Sequence, residues 1–66
     1  MKNRIRVARA EVRLTQQQLA DAIAVSRQTI NAIESGKFVP STVLALKMAR
    51  IFKQSVEEIF ILDDED

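Results

Sequence analysis

TQQQLADAIAVSRQTINAIESG, Thr15 to Gly36, is the stretch that decides the fold. Thr15 and Ser26 are both residues whose side-chain oxygen can accept from the first free N–H groups of a helix. After Thr15, the run QQQLADAIA places Leu19, Ala20 and Ile23 on one face at helical spacing. After Ser26, the run RQTINAIES carries Ile30 and Ile33, and Gly36 closes it as a residue free to turn left-handed. Between the two runs lies only the turn Ala24-Val25-Ser26. Two short helices in tight succession are the expectation, and neither has enough apolar surface to stand alone.

The rest of the chain supplies the missing core. Arg4 to Arg13 carries Ile5, Ala8 and Val12 at helical spacing. Ser41, just after Pro40, opens TVLALKMARIFK, where Leu44, Ala45, Met48, Ala49, Ile51 and Phe52 form one broad arc. Ser55 with Glu58 three residues on has the capping-box spacing and opens VEEIF. With one Gly, one Pro and no alternating apolar run, strands are not expected. The predicted fold is all-α: a compact five-helix bundle over residues 1–62, followed by an acidic tail, 63–66.

Composition narrows the function. The chain has no Cys and no His, so a disulfide, a zinc site or a His-based catalytic centre is excluded, and no cofactor or metal is expected. No nucleophile–base pair or phosphate loop appears, so an enzyme is not expected. Apolar runs such as Val43–Leu46 and Ile59–Leu62 fall far short of the roughly 20 residues of a membrane span. A cytoplasmic protein with no membrane partner is the expectation. Ten basic residues against three acids give residues 1–56 a net charge of +7, while residues 57–66 hold six acids and no base. A basic body suits a polyanionic partner.

The third helix shows how such a partner would be read. Measured from Ile30 at roughly 100° per residue, Ile33 shares the inner side, whereas Gln28, Asn31, Ala32 and Ser35 cluster on the far side. Arg27 flanks both sides. Gln and Asn match the paired edge of adenine, Arg the edge of guanine, and Ala the methyl of thymine. The short turn before this helix suits a helix-turn-helix, formed by the second and third helices, that presents these residues to a major groove. Two charges face inward instead: Arg9 on the first helix, with Ile5 and Val12, and Glu34 on the third, beside Ile30. An unpaired charge there is costly, so the two are expected to pair.

TQQQLADAIAVSRQTINAIESGKFVPS, followed by LALKMARIF and SVEEIF, resembles the phage lambda-repressor/Cro-like helix-turn-helix family, and the likeness runs over roughly residues 4–60. The resemblance implies a double-stranded DNA partner and a transcriptional regulator, with the third helix in the major groove. By it, Arg27, Gln28 and Asn31 match base-contacting positions, with Thr29 and Ala32 flanking them. Gln16 matches a position that holds a phosphate. Ser35, Lys37 and Phe38 fall in a loop that lies along the DNA backbone, and Arg9 and Glu34 match a recurrent buried ion pair. Arg13, Ala24 and Lys53 stand where relatives often carry glycine.

Family members usually bind as homodimers. Phe60, Ile61 and Leu62, with Val43 and Leu46, are the candidate interface, the alternative being that Phe60 and Ile61 complete the monomer core. The tail Asp63-Asp64-Glu65-Asp66 reads as a disordered, solvating end, or as a competitor with DNA for the basic surface. An antitoxin-like or other protein-interaction module on the same fold is the alternative function. An effector ligand is not legible in the sequence.

Overall fold

The computed structural model describes all of residues 1–66. Five helices follow a two-residue strand: β1 (Lys2–Asn3), α1 (Ile5–Glu11), α2 (Gln16–Ile23), α3 (Arg27–Glu34), α4 (Thr42–Phe52) and α5 (Val56–Ile59). A second strand, β2 (Phe60–Ile61), runs antiparallel to β1 with Lys2 opposite Ile61 and Asn3 opposite Phe60. The Arg4 N–H donates to the Ile59 carbonyl at 2.8 Å and extends the pairing. The chain is therefore mostly helical rather than all-α. Strands of two residues are too short to show the period-two pattern that marks a strand in sequence.

The core consists of twelve apolar residues and no polar one. Ile5, Leu19, Ile23, Ile30, Ile33, Met48 and Ile59 are its largest fully buried side chains, drawn from every helix. Val12, expected on the inner side of the first helix, is instead 38% exposed. The helix ends at Glu11, two residues before the expected Arg13, with Val12 as its C-cap. Of the two readings left open for Phe60 and Ile61, the core one holds for Phe60 and not for Ile61, which is 43% exposed. The extended backbone of Phe60 ends α5 and joins β2, which leaves Ile61 and Leu62 outside.

Serine or threonine caps four helices as the sequence predicts. Thr15 accepts from Gln18 N, Ser26 from Thr29 N, Ser41 from Leu44 N and Ser55 from Glu58 N. The helix ends share a device too. Arg13, Ala24, Gly36 and Lys53 all take positive φ, at 58°, 61°, 80° and 56°. In α1 the N–H of Leu14 then reaches the Arg9 carbonyl at 2.9 Å, and in α3 the N–H of Lys37 reaches that of Ala32 at 2.9 Å. Such closures satisfy the last carbonyls of each helix. Arg13, Ala24 and Lys53 thus keep the geometry that glycine favours, at a cost of about 1 kcal/mol each.

The acidic tail is not a free end. Antiparallel pairing of β1 and β2 brings the termini together, and the Met1 amino group lies 3.3 Å from Asp63 and 3.2 Å from Asp66. Those carboxylates, Asp66 foremost, raise the pKa of the amino group. Asp66 is itself held below the usual carboxylate range, first by the Asp63 N–H and then by the amine. Contacts this exposed stabilise little. No helix is long and apolar enough to cross a membrane.

Candidate nucleic-acid interface

Helix α3 is held from below and left open above. Ile30 and Ile33 are buried in the core, while Arg27, Gln28 and Asn31 are exposed. Together with Gln16, at the start of α2, these three line a shallow polar depression of about 140 Å³ with no apolar wall. The turn before α3 depends on Ala24 in its left-handed conformation, where the Val25 N–H closes on the Ala20 carbonyl at 3.0 Å. Thr29 faces elsewhere: it is half-buried, and its hydroxyl lies 3.0 Å from that of Ser26. Ala32 is also half-buried.

Beneath this side lies a polar cluster around one carboxylate. Arg9 Nε donates to Glu34 Oε2 at 2.7 Å and Arg9 Nη2 to Oε1 at 3.3 Å, a two-point contact of the kind Arg makes well. Arg9 Nη1 donates to the Leu14 carbonyl at 2.9 Å. The side chains of Glu34 and Arg9 are only 2% and 15% exposed. Gln16 Nε2 donates to Glu34 Oε1 at 3.3 Å, and Arg6 Nε stands 3.7 Å from the same oxygen. Sequence spacing points Arg9 and Glu34 inward, and the fold brings them together. The parts of Gln16 and Arg6 are not legible in the sequence, because each lies on a different helix from Glu34 and carries no inward signal.

The remaining contacts change what several side chains can offer. Gln16 Nε2 also donates to Asn31 Oδ1 at 3.4 Å, so both of its N–H groups already face acceptors of the chain. A phosphate at this corner would have to displace one of them, or meet the free backbone N–H groups at the start of α2. The Ser35 hydroxyl donates to the Ala32 carbonyl at 3.1 Å, and the backbone N–H groups of Lys37 and Phe38 are spent on that same carbonyl. Among Ser35, Lys37 and Phe38, the exposed Lys37 ammonium is the donor that remains. Asn3, from the other end of the chain, donates to the carbonyl of Ile33 at 2.9 Å.

A second surface is apolar. Met1, Val39, Pro40, Ala45, Leu46, Val56 and Phe60, together with Thr42, line a groove of about 220 Å³. Val43 and Leu46, on α4, border a neighbouring depression with Lys47 and Arg50. Val43 is 61% exposed, Leu46 57% and Leu62 76%.

Comparison with known proteins gives the chain its family. A family model described as helix-turn-helix matches residues 5–59. An uncharacterized HTH-type transcriptional regulator of Methanocaldococcus jannaschii is 50% identical over 66 residues, covering 100% of both chains. YgzD, an uncharacterized HTH-type transcriptional regulator of Bacillus subtilis, is 41% identical with the same full coverage. Among solved structures, the clp gene regulator ClgR from Corynebacterium glutamicum aligns with a TM-score of 0.74 at 28% identity. That likeness covers 82% of this chain and 57% of the ClgR chain, a little over half its length.

Proposed function

The chain belongs to the helix-turn-helix family, and on that premise we propose that it is a sequence-specific regulator of transcription that binds double-stranded DNA. In this reading α2 and α3 are the helix-turn-helix, and α3 enters the major groove. One observation carries it: Arg27, Gln28 and Asn31 stand exposed on a helix whose opposite side, Ile30 and Ile33, is wholly buried. Arg27 donates to guanine, Gln28 and Asn31 pair with base edges, and Lys37 meets phosphate. Phosphate contacts give affinity and register, and the base edges give specificity. The role is one of binding without catalysis, in the cytoplasm.

A single α3 makes few base contacts, so the protein acts as a homodimer on half-sites roughly 34 Å apart. Val43, Leu46, Ile61 and Leu62 supply its interface, beside the apolar groove. Sedimentation at micromolar concentration reads this directly; a monomer both free and on DNA would sink the dimer.

Selection from random duplexes tests the reading as a whole. A defined operator should emerge, bound with an affinity that falls steeply with salt. Gln28→Ala should relax discrimination at one base pair by about 1–3 kcal/mol while leaving the thermal midpoint in place. A uniform loss across all sequences would make Gln28 a phosphate contact instead. If selection returns no preferred sequence, the regulator reading fails.

A further inference from the structure

Asn3 stands where three elements meet. Its backbone pairs with Phe60 across β1 and β2. Its Oδ1 accepts from the Ile5 N–H at 3.2 Å and so caps the first turn of α1. Its Nδ2 donates to the carbonyls of Ile33 at 2.9 Å and Glu34 at 3.5 Å, the last two of α3. An amide fills this place because it offers a donor and an acceptor on one short side chain. A carboxylate would lack the donor and set a negative charge against the negative end of α3.

The other bonds at this end of α3 are local. The Asn31 carbonyl takes the Ser35 N–H, that of Ala32 takes Lys37 and Phe38, and that of Ile33 takes Gly36. These move with the helix and say nothing about where it points. Arg9 grips the same turn through the Glu34 side chain. Asn3 grips the backbone itself, from thirty residues away in sequence.

We infer that Asn3 is a positioning residue for α3, setting the angle at which Gln28 and Asn31 meet DNA without touching DNA itself. The inference rests on the DNA-reading role proposed above. An eight-residue helix is about 12 Å long, so a slip of about 1 Å at one end tilts it by about 5°. Hydrogen bonds to base edges weaken steeply off their geometry. Contacts from flexible lysines to phosphate tolerate the same slip. Loss of the Asn3 amide should therefore damage discrimination more than general affinity.

Asn3→Ser is the test, because it keeps an acceptor for the Ile5 N–H, adds no charge and removes the amide donor. Binding to the selected operator and to a random duplex is compared with wild type, well below the thermal midpoint. Operator affinity should fall about tenfold, the scale of a misplaced base contact, and random-duplex affinity less than about twofold. Amide exchange at Gly36 and Lys37 should quicken, with Met48 and Phe52 in α4 unchanged. Equal losses on both duplexes, or no loss, would overturn the inference. If wild type itself shows no preferred sequence, the DNA reading fails, and the exchange rates alone decide whether Asn3 holds α3: unchanged rates refute it. Should Asn3→Ser not fold, Asn3→Gln carries the same comparison, with both polar groups one methylene further out.

Discussion

Helices α3 and α4 begin alike and are held differently. Each opens on a serine cap and closes through a residue of positive φ. Helix α4 buries Ala45, Met48 and Phe52 and rests on apolar contact. Helix α3 buries only Ile30 and Ile33, and the rest of its hold is polar: the Arg9 guanidinium and the Gln16 amide on Glu34, and the Asn3 amide on its last carbonyls. A helix that must show a polar side outward has little apolar surface left to bury. Directional hydrogen bonds replace area, and they fix orientation as well as position.

That contrast can be broken at its strongest points first. Arg9→Met keeps an apolar stem but leaves the Glu34 carboxylate, whose side chain is 2% exposed, with only the Gln16 amide and the more distant Arg6 guanidinium. The expected loss is about 3–5 kcal/mol in urea unfolding. Adding Glu34→Met should recover much of it, because no buried charge then lacks a partner. Met48→Ala, in α4, should cost about 2–5 kcal/mol through its cavity. Combined with Glu34→Met it should show no recovery. Additive losses for the Arg9 and Glu34 variants would mean that α3 is held by area after all.

Closing residues sharpen the comparison at smaller scale, with opposite signs. Gly36→Ala, at φ 80°, should lose about 1 kcal/mol. The loss is a backbone effect, since the nearest atom to a new Cβ is the Met1 carbonyl oxygen at 3.9 Å. Lys53→Gly, at φ 56° after α4, should gain about 0.5–1 kcal/mol. In a domain of this size these appear as thermal midpoints moved by about 4–8 °C per kcal/mol. Equal signs would show that the left-handed turns are not governed by glycine's freedom.

The smallest effect lies in α5, whose cap is ionised where those of α3 and α4 are neutral. The Ser55 N–H, and after it the Ser55 side chain, hold the Glu58 carboxyl below its usual range. Its stabilising part is therefore complete above the unfolded pKa and is lost as pH falls through the folded one. Glu58→Gln retains a capping amide without a titrating proton. The lead of wild type in thermal midpoint over this variant should shrink on acidification. A lead that is independent of pH would refute the charge contribution.

Read as sequence, the chain determines its helices, their order and their inner sides. Those signals are local and periodic: serine and threonine caps, Ile30 with Ile33, the arc of α4, and Gly36. The meeting of Arg9 and Glu34 is legible for a related reason, since two inward charges of opposite sign in a small core have few other partners. Only tertiary structure decides the rest. The β1–β2 pair forms because the fold brings two short segments together from opposite ends of the chain, which turns Phe60 inward and sets Asp63 and Asp66 against the Met1 amine. Arg13, Ala24 and Lys53 turn left-handed without glycine. The amides of Asn3 and Gln16 had many possible partners along the chain. Which acceptors they meet depends on distances between helices, and no local periodicity encodes those.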